Sequence, residues 1–303
     1  GYSPISQSAT QRHAVPAELL LIEWNPPAGS PLLRDTLPWP RELRHCSVRS
    51  LLVDAATHAR YADAHLSPIH VVAGVNAGIR RARGAFVLPT TMDHVYAETL
   101  IAFIARRALE RRTLYRVDRC DVDRAVTALT EPAARLAWCA AHVTHVNALA
   151  ERPADATFPL LHTNACGDFQ LLDRASWHTL RAYREEDFVG YHCDSLLSFA
   201  AHAAGIREVV LAGAQVFHIE HDGGFAGKLH VTRRPDGTDE VVYAGQRVPP
   251  WPEVERMIRD VVAGRRPYVF NDASWGLGET AIPETLVRAA ANLAFTPTGE
   301  MRE

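Results

Sequence analysis

The stretch that decides the fold runs from Asn76 to Asp93 and reads NAGIRRARGAFVLPTTMD. Its first part favours a helix over Ala77–Arg83, because Gly84 is the residue type that most often follows the last turn of a helix. The apolar run Ala85–Thr90 then reads as a buried strand. The stretch therefore predicts a helix followed by a strand, with the carboxylate of Asp93 at the exit of the strand.

The flanking sequence repeats this alternation of short apolar runs and amphipathic segments. Glu18–Trp24 and Val48–Val53 also read as buried strands, and Ala97–Arg111 reads as a helix. Such alternation predicts right-handed βαβ units on a mostly parallel sheet with helices on its faces. In an open sheet of this kind, ligands bind beyond the carboxyl ends of the strands. That rule selects three segments: Trp24–Pro27, Asp54 and Thr90–Asp93.

Shorter elements of both kinds are predicted in the second half of the chain. The strand-like runs are Gly167–Leu172, Glu208–Leu211 and Ala214–His218, and the helix-like runs are Ser176–Ala182, Asp194–Ala204 and Glu253–Ala263. Beyond Gly223 the chain is richer in proline, glycine and charge, and Pro235–Gly237 predicts a turn. Because we find no internal repeat and no long linker, we expect a single α/β domain over residues 1–303.

Composition disfavours several classes of function. The net charge of −3 and the pI near 6.6 argue against a nucleic-acid partner, whose phosphates attract a basic surface. Lys228 is the single lysine, so contacts to a phosphate must come from arginine, backbone N–H groups or a metal. The five cysteines are scattered without a Cys-x-x-Cys pair, and no apolar stretch approaches the roughly 18 residues of a membrane span. We therefore expect a cytoplasmic protein with reduced thiols, no membrane span and a small polar ligand.

The pattern Asn-x-Gly-Ile-x-x-Ala-x-Gly, followed by a strand and an aspartate, resembles the donor-binding half of family 2-like GT-A glycosyltransferases. The resemblance implies a Rossmann-like, mostly parallel twisted sheet flanked by helices, with a small mixed sheet on the acceptor side. It also implies that Asp93 belongs to the Asp-x-Asp motif, which holds Mn²⁺ or Mg²⁺ against the diphosphate of a sugar nucleotide. Here Thr91-Met92-Asp93 retains only the last acid. The alternative role for Asp93 is an N-cap of the following helix.

A second candidate for that motif is Asp121-Val122-Asp123, which spells it in full. This triplet follows the predicted strand Thr113–Asp118, later in the chain than the family pattern requires. We therefore interpret it as a charged loop or the start of a helix.

The acceptor side of the site is predicted from Asn164–Arg174 and Gly190–Leu197. Together they resemble a region of β-1,4-galactosyltransferase-like and family 2 enzymes, in which a glycine-rich strand precedes a short helix and an aspartate at the next helix start. The resemblance implies that Asp194 is the base that takes the proton from the acceptor hydroxyl, which would invert the anomeric carbon. The alternative role for Asp194 is an N-cap. The other acceptor-side residues are Gly167, Asp168 and His192, the last of which stands where the family usually has an acid.

A third group of candidate ligands lies in Val216–Gly224, at the end of a predicted strand. The related galactosyltransferases use a methionine and a histidine, three residues apart, as metal ligands, and His218 and His221 match these positions. The resemblance implies that both histidines complete a metal site begun by Asp93. Because the chain has 15 histidines, a surface or core role is the competing interpretation.

Weaker matches to a bacterial GT-A group extend the resemblance to Glu23–Pro27, Tyr115–Arg119 and Asn271–Gly278. They imply that Glu23 and Asn25 meet the nucleotide base and that Trp275 stacks on a sugar, although loop and core roles explain these residues nearly as well. The remaining donor-side candidates, of which Arg80 or Arg81 would add positive charge, are Asp54, Asn76, Arg80, Arg81 and Thr91.

These observations favour an inverting glycosyltransferase that moves a sugar from a nucleoside-diphosphate sugar, by family habit a UDP-sugar, to an acceptor hydroxyl. Residues 1–125 are expected to bind the donor and 126–230 the acceptor, with 231–303 as a C-terminal extension. Residues 1–17 are too short for the strand and helix that begin such domains, so we expect a longer parent chain or an unusual nucleotide pocket. The alternatives are a catalytically weak sugar-binding relative and a metallohydrolase.

Overall fold

The computed structural model describes residues 12–62, 64–149, 155, 158–185, 192–221, 229–233, 237, 239–243 and 246–293. The strands are β1 (Ala17–Trp24), β2 (Cys46–Val53), β3 (Phe86–Val87), β4 (His94–Tyr96), β5 (Thr113–Val122), β6 (Val143–Asn147), β7 (Leu172–Asp173), β8 (Arg207–Ile219), β9 (Leu229–Arg233), β10 (Asp239–Tyr243), β11 (Gln246–Val248) and β12 (Glu284–Arg288). The α-helices are α1 (Leu33–Thr36), α2 (Ala55–His58), α3 (Val71–Arg81), α4 (Glu98–Ala105), α5 (Pro132–Ala141), α6 (Arg174–Leu180), α7 (Cys193–Ala203) and α8 (Trp251–Val262). Two 3₁₀ helices cover Arg124–Ala128 and Cys166–Asp168. The predicted α/β class is thus confirmed, and none of the described helices has the length and apolar character needed to cross a bilayer.

The described strands form several small sheets. One has the order β1-β2-β12, a second the order β4-β8-β5-β6 and a third the order β11-β10-β9, while β3 pairs with β7. Pairing is parallel between β1 and β2 and between β5 and β8, and antiparallel in the other strand pairs that the structure describes. The expectation of a mostly parallel sheet is therefore wrong. The C-terminal strand β12 returns antiparallel to β2, and both β4 and β6 run against their neighbours in the second sheet.

Strand β5 forms the middle of the core because its side chains alternate between two apolar clusters. Leu114 packs with residues of α3, α6 and α7, including Trp177 and Leu197. Its neighbour Tyr115 faces the opposite side and packs with α4 through Leu100. The carboxyl-terminal half of β5 pairs with the exposed edge strand β6, and this half carries the polar side chains of the candidate site.

Helix α3 packs closely on β1 because two of its glycines face the strand. A Cβ atom at Gly74 would lie 3.3 Å from the ring of Trp24, and one at Gly78 would lie 3.1 Å from Ile22. The predicted helix Ala77–Arg83 is therefore the second half of a longer helix that spans Val71–Arg81.

Several predicted elements have different bounds in the structure. The helix predicted over Ala97–Arg111 ends at Ala105, and the backbone then turns through positive φ at Arg107 and Arg112. The segment Gly167–Leu172 is not a strand, since 166–168 form a 3₁₀ helix and only Leu172 enters β7. The two strands predicted over 208–218 are one strand, β8. Gly190, Tyr191, Asp222–Gly224 and most of the predicted turn at Pro235–Gly237 lie outside the described residues.

Candidate functional site

A row of ionisable side chains crosses the four-stranded sheet. His94 of β4 is the register partner of His218 in β8, and His218 is in turn the partner of Asp121 in β5. Directly paired residues point to the same face of a sheet, so these three side chains lie side by side. His218 Nδ1 is 3.2 Å from Asp121 Oδ1, and the two imidazole centroids are 6.0 Å apart. The side chains are 2%, 14% and 6% exposed, in the order of the row, so the row is largely shielded from water.

Asp93 and His221 extend this row at the end of the sheet. Asp93 directly precedes β4, and His221 follows the last residue of β8 by two positions. Asp93 Oδ2 lies 3.2 Å from His218 Nε2 and 3.0 Å from His221 Nε2. The potential ligand atoms of these three residues all lie within 4.8 Å of one another. A carboxylate and two imidazoles at such separations fit a divalent transition-metal ion.

The surroundings of Asp93 test its expected N-cap role. Strand β4 follows it directly, and the N-cap of the next helix is Ala97, so the N-cap alternative is wrong. The hydroxyl of Thr91, a donor-side candidate, donates to Asp93 Oδ1 and thereby orients the carboxylate. Asp93 is thus held with one oxygen toward Thr91 and the other toward the two histidines.

Further contacts close a ring of charged groups beside the candidate metal ligands. His94 Nε2 lies 3.3 Å from Asp168 Oδ2 and 3.7 Å from Asp93 Oδ1. Arg119 Nε donates to Asp121 Oδ1 at 2.6 Å and lies 3.3 Å from Asp168 Oδ2. The structure therefore brings Asp168, predicted on the acceptor side, next to the residues predicted to hold the metal.

The electrostatics of this ring favour ionised carboxylates. Burial would raise the pKa of Asp93, but the hydrogen bond with His218 and the charge of His94 hold that pKa well below its ordinary value. Burial likewise opposes the shift at Asp168, whose pKa is nevertheless lowered by His94 and Arg119. Burial lowers the pKa of His218, and the contact with Asp93 more than compensates, so the net shift is upward. The carboxylates of Asp93 and Asp168 are thus held in the ionised form, the form in which a carboxylate binds a cation.

Asp194 is linked to the ring through one residue of main chain. It lies in the first turn of α7, and because the N-cap of that helix is His192, the N-cap alternative for Asp194 is wrong. Its Oδ1 accepts from the N–H of Ser195 and its Oδ2 from the N–H of Gly167, both at 2.8 Å. A Cβ atom at Gly167 would lie 3.1 Å from Asp194 Oδ2, so the close contact depends on glycine. The residue after Gly167 is Asp168 of the ring.

His192 occupies the N-cap of α7 with a φ of 65°. Its ring centroid lies 5.1 Å from that of Trp251. The preceding residues, 186–191, fall outside the part of the chain that the structure describes. The acceptor-side role of His192 stays a prediction.

Three donor-side candidates near the ends of β1 and β2 differ in burial and in their hydrogen bonds. Glu23 is 4% exposed, and its two carboxylate oxygens accept from the hydroxyl of a serine in β2 and from a backbone N–H at the start of α1. A role for Glu23 in binding the nucleotide base is therefore wrong, because the group is buried and already bonded. Asn25 donates to the carbonyl of Pro68, and the exposed Asp54 caps α2. The roles of Asn25 and Asp54 in donor binding stay predictions.

Asn76 is predicted to bind the donor and Trp275 to stack on a sugar, but both side chains are buried. Asn76 donates to the carbonyl of Tyr183 and to the carboxylate of Glu185, and its own carbonyl accepts the N–H of Tyr183. The ring of Trp275 is 5% exposed and lies under the guanidinium of Arg80, 4.9 Å from its centroid. Neither side chain has a free surface for a nucleotide or a sugar, so both assignments are wrong.

Arg80 and Arg81 hold a C-terminal loop, which we define as residues 271–280. Arg80 donates to the carbonyls of Ala273 and Trp275, and Arg81 donates to those of residues 276, 277 and 280. Each guanidinium is thus directed at backbone oxygens. Their proposed contact with a diphosphate stays a prediction, and the structure shows them in a structural role.

The sequence interpretation missed His94, Arg119 and Asp121. The sequence does carry a signal for Asp121, because Asp121-Val122-Asp123 spells the Asp-x-Asp motif, but its place in the chain favours a loop or helix start instead. In the structure Asp121 lies inside β5, and only Asp123 caps the following 3₁₀ helix. Because the register between β4, β8 and β5 joins segments about 100 residues apart, local patterns carry no sign of it.

Comparisons with known proteins add no family. No family model matches the chain, and no curated protein matches it. The geometry of the site and the resemblance of its motifs are therefore the basis for a function.

Proposed function

We propose that this chain is a metal-dependent glycosyltransferase of the GT-A type, which transfers a sugar from a nucleoside-diphosphate sugar, most simply a UDP-sugar, to an acceptor hydroxyl. The observation that carries the proposal is the convergence of Asp93, His218 and His221 at the ends of β4 and β8. These residues come from two separate segments, Thr91–Asp93 and Val216–Gly224, that the resemblance assigns to the metal site. Their ligand atoms meet in space although the segments are 125 residues apart, counted from Asp93 to His218.

The parallel pairs support the finer fold assignment. Strands β1 and β2 run parallel with α3 packed on β1, and β5 runs parallel to β8 at the site. In such arrangements ligands bind at the carboxyl ends of the parallel strands, and both Val122 and Ile219 end their strands beside the charged ring. Within this proposal, residues 1–125 form the donor half, 126–230 the acceptor half and 231–303 the C-terminal extension.

The charged residues divide the chemistry between donor and acceptor. A divalent cation held by Asp93 and the two histidines would supply positive charge to the leaving diphosphate. Asp194 takes the proton from the acceptor hydroxyl as that oxygen attacks the anomeric carbon, which inverts the configuration. Two backbone N–H groups fix both oxygens of the Asp194 carboxylate, so the base keeps one orientation. Asp168, one residue beyond Gly167, positions an acceptor hydroxyl.

A binding screen tests this proposal. The purified chain is mixed with UDP-, GDP- and dTDP-sugars, each with and without Mn²⁺ or Mg²⁺, and the melting temperature and heat of binding are measured. A donor at 100 times its Kd stabilises the folded state by about 2.7 kcal/mol. We expect stabilisation by one nucleotide that requires the metal and is lost in Asp93→Asn. Asp194→Asn should bind the same donor without transfer or nucleotide release.

If no sugar nucleotide of the panel changed the melting temperature or gave a heat of binding, the proposal would be contradicted. A catalytically weak, sugar-binding relative would then be favoured. The burial of Glu23 and the use of Asn76 and Arg81 in the fold are consistent with that outcome. Full transfer activity in Asp194→Asn would leave the enzyme class intact but remove Asp194 as the base.

A second candidate function is a metallohydrolase. The specific observation in its favour is that two of the three convergent ligands are imidazoles, which suit zinc as well as manganese. Retention of zinc through dialysis, hydrolysis of a simple ester and failure to bind any sugar nucleotide would together support this candidate. Metal-dependent binding of a sugar nucleotide would exclude it as the main activity.

A further inference from the structure

Asp121 is an acidic residue of the ring whose place beside the metal site is set by strand register, although the sequence interpretation gives its triplet to a loop or helix start. It lies inside β5 with its side chain 6% exposed. Arg119 Nε donates to its Oδ1 at 2.6 Å, and the amide of Asn147 in β6 donates to its Oδ2 at 3.1 Å. The carboxylate is thus fixed from two sides, by residues of its own strand and of the next one.

The fixed carboxylate faces the inner nitrogen of His218. Asp121 Oδ1 is 3.2 Å from His218 Nδ1, while the outer nitrogen, Nε2, is 3.2 Å from Asp93 Oδ2. The buried Nδ1 atom has no hydrogen-bond partner of good geometry among the residues that the structure describes. If the imidazole of His218 turns slightly toward Asp121, this close approach becomes an N–H···O bond. The imidazole of His218 would then connect Asp121 on one side with the metal site on the other.

We propose that Asp121 is a positioning residue for the metal site, which accepts the Nδ1 proton of His218 and so keeps the Nε2 lone pair directed at the ion. The inference rests on the proposed metal site of Asp93, His218 and His221. Histidines that bind metals generally donate their second nitrogen to a carboxylate or carbonyl, and loss of that partner weakens metal binding about 10–100-fold. His221 is 52% exposed, and its carboxylate neighbour is Asp93. Of the two histidines, His218 is therefore the one whose second nitrogen faces Asp121.

Titration with Co²⁺ tests the proposal without any substrate. The full chain is titrated, and binding is followed by calorimetry and by the visible absorption of the bound ion, which reports its coordination. Asp121→Asn keeps the size of the side chain and removes its negative charge. Asp123→Asn is the matched control, because it makes the same change two residues further on, where the side chain caps a 3₁₀ helix.

We expect wild type and Asp123→Asn to bind Co²⁺ with affinities within twofold of each other. Asp121→Asn should bind it about 10–100-fold more weakly and with an altered absorption spectrum. In a His218→Ala background, Asp121→Asn should cause no further loss of affinity. That last result separates positioning through His218 from a general disturbance of the sheet, which would weaken binding in both backgrounds.

Two outcomes would overturn the inference alone. One is an Asp121→Asn variant with wild-type affinity and spectrum, and the other is an equal loss of affinity with and without His218. A wild-type chain that binds no Co²⁺ would overturn the metal site itself, and with it both the proposed function and this inference.

Discussion

Two regions of this protein are rich in polar side chains, and they use them differently. Around α3, the side chain of Asn76 bonds mainly to the main chain of Tyr183, and that of Arg81 bonds to carbonyls of the C-terminal loop. On the face of the β4-β8-β5 sheet, ionisable side chains such as Asp93 and His218 approach each other instead. Polar groups that satisfy the main chain stabilise a fold, whereas ionisable groups held together shift each other's pKa and keep atoms free for a ligand. The difference is the reason why we propose the sheet face, and not the contact around α3, as the functional site.

The largest effect is expected in the structural region, at Gly276. Its φ is +61°, and a Cβ atom there would lie 2.6 Å from the carbonyl oxygen of Asn76. Gly276→Ala combines a left-handed backbone with a clash against a helix, so we expect a loss of about 3–5 kcal/mol in the free energy of unfolding. Chemical denaturation measures it.

Gly264→Ala is the matched control for this substitution. Gly264 has a similar φ of +69°, but no atom lies within 4 Å of the added Cβ. We expect a loss of about 1–2 kcal/mol from the backbone conformation alone. Equal losses in the two variants would mean that the loop does not pack tightly on α3.

A smaller loss is expected for Asn76→Ala. The substitution leaves the buried N–H and C=O of Tyr183 without this partner, which should lower the free energy of unfolding by about 2–3 kcal/mol. Because Asn76 belongs to the structural region, the folded variant should bind Mn²⁺ and the donor with wild-type affinity. A variant of normal stability that binds the donor poorly would restore Asn76 to the donor site.

These two regions also show how far sequence patterns reach. Local periodicity located β1, β2, α3, α7 and α8 to within a few residues, except that α3 starts earlier than predicted. The motifs place Asp93, His218 and His221 in one metal site, and the three side chains do lie together in the structure, while their binding of a metal stays a prediction. The patterns did not reveal that Glu23, Asn76 and Trp275 are buried, because burial depends on where the C-terminal loop and α1 pack. Nor did they reveal Asp121 and His94, whose place in the site depends on strand register.

Gly167→Ala tests the link between Asp194 and the charged ring. The added Cβ would press on Asp194 Oδ2 at 3.1 Å and displace the proposed base. We expect turnover of the donor to fall about tenfold, equivalent to about 1.4 kcal/mol in the barrier, with little change in Mn²⁺ affinity. Nucleotide release under saturating donor and metal measures this. Unchanged turnover would separate Asp194 from the reaction.

The smallest effect is expected at Glu185, in the structural region. Burial raises the pKa of this carboxyl, against hydrogen bonds from Asn76 and from the N–H of Gly276. Since its folded-state pKa exceeds the unfolded one, the ionised group weakens the fold at neutral pH, and this cost disappears below about pH 4. Glu185→Gln should raise the melting temperature by about 1–2 °C at pH 7 and leave it unchanged at pH 4. A stabilisation that is equal at both pH values would contradict this interpretation.

The most direct test of the central claim is calorimetric titration of the metal-free chain with Mn²⁺. Asp93→Asn is compared with Asp272→Asn, whose carboxylate is exposed in the C-terminal loop and accepts from the N–H of Ser274. We expect wild type and Asp272→Asn to bind one equivalent with the same affinity, and Asp93→Asn to lose at least about 100-fold, since a direct ligand matters more than an outer partner. Absence of binding in wild type, or equal affinity in Asp93→Asn, would contradict a metal site on the sheet face.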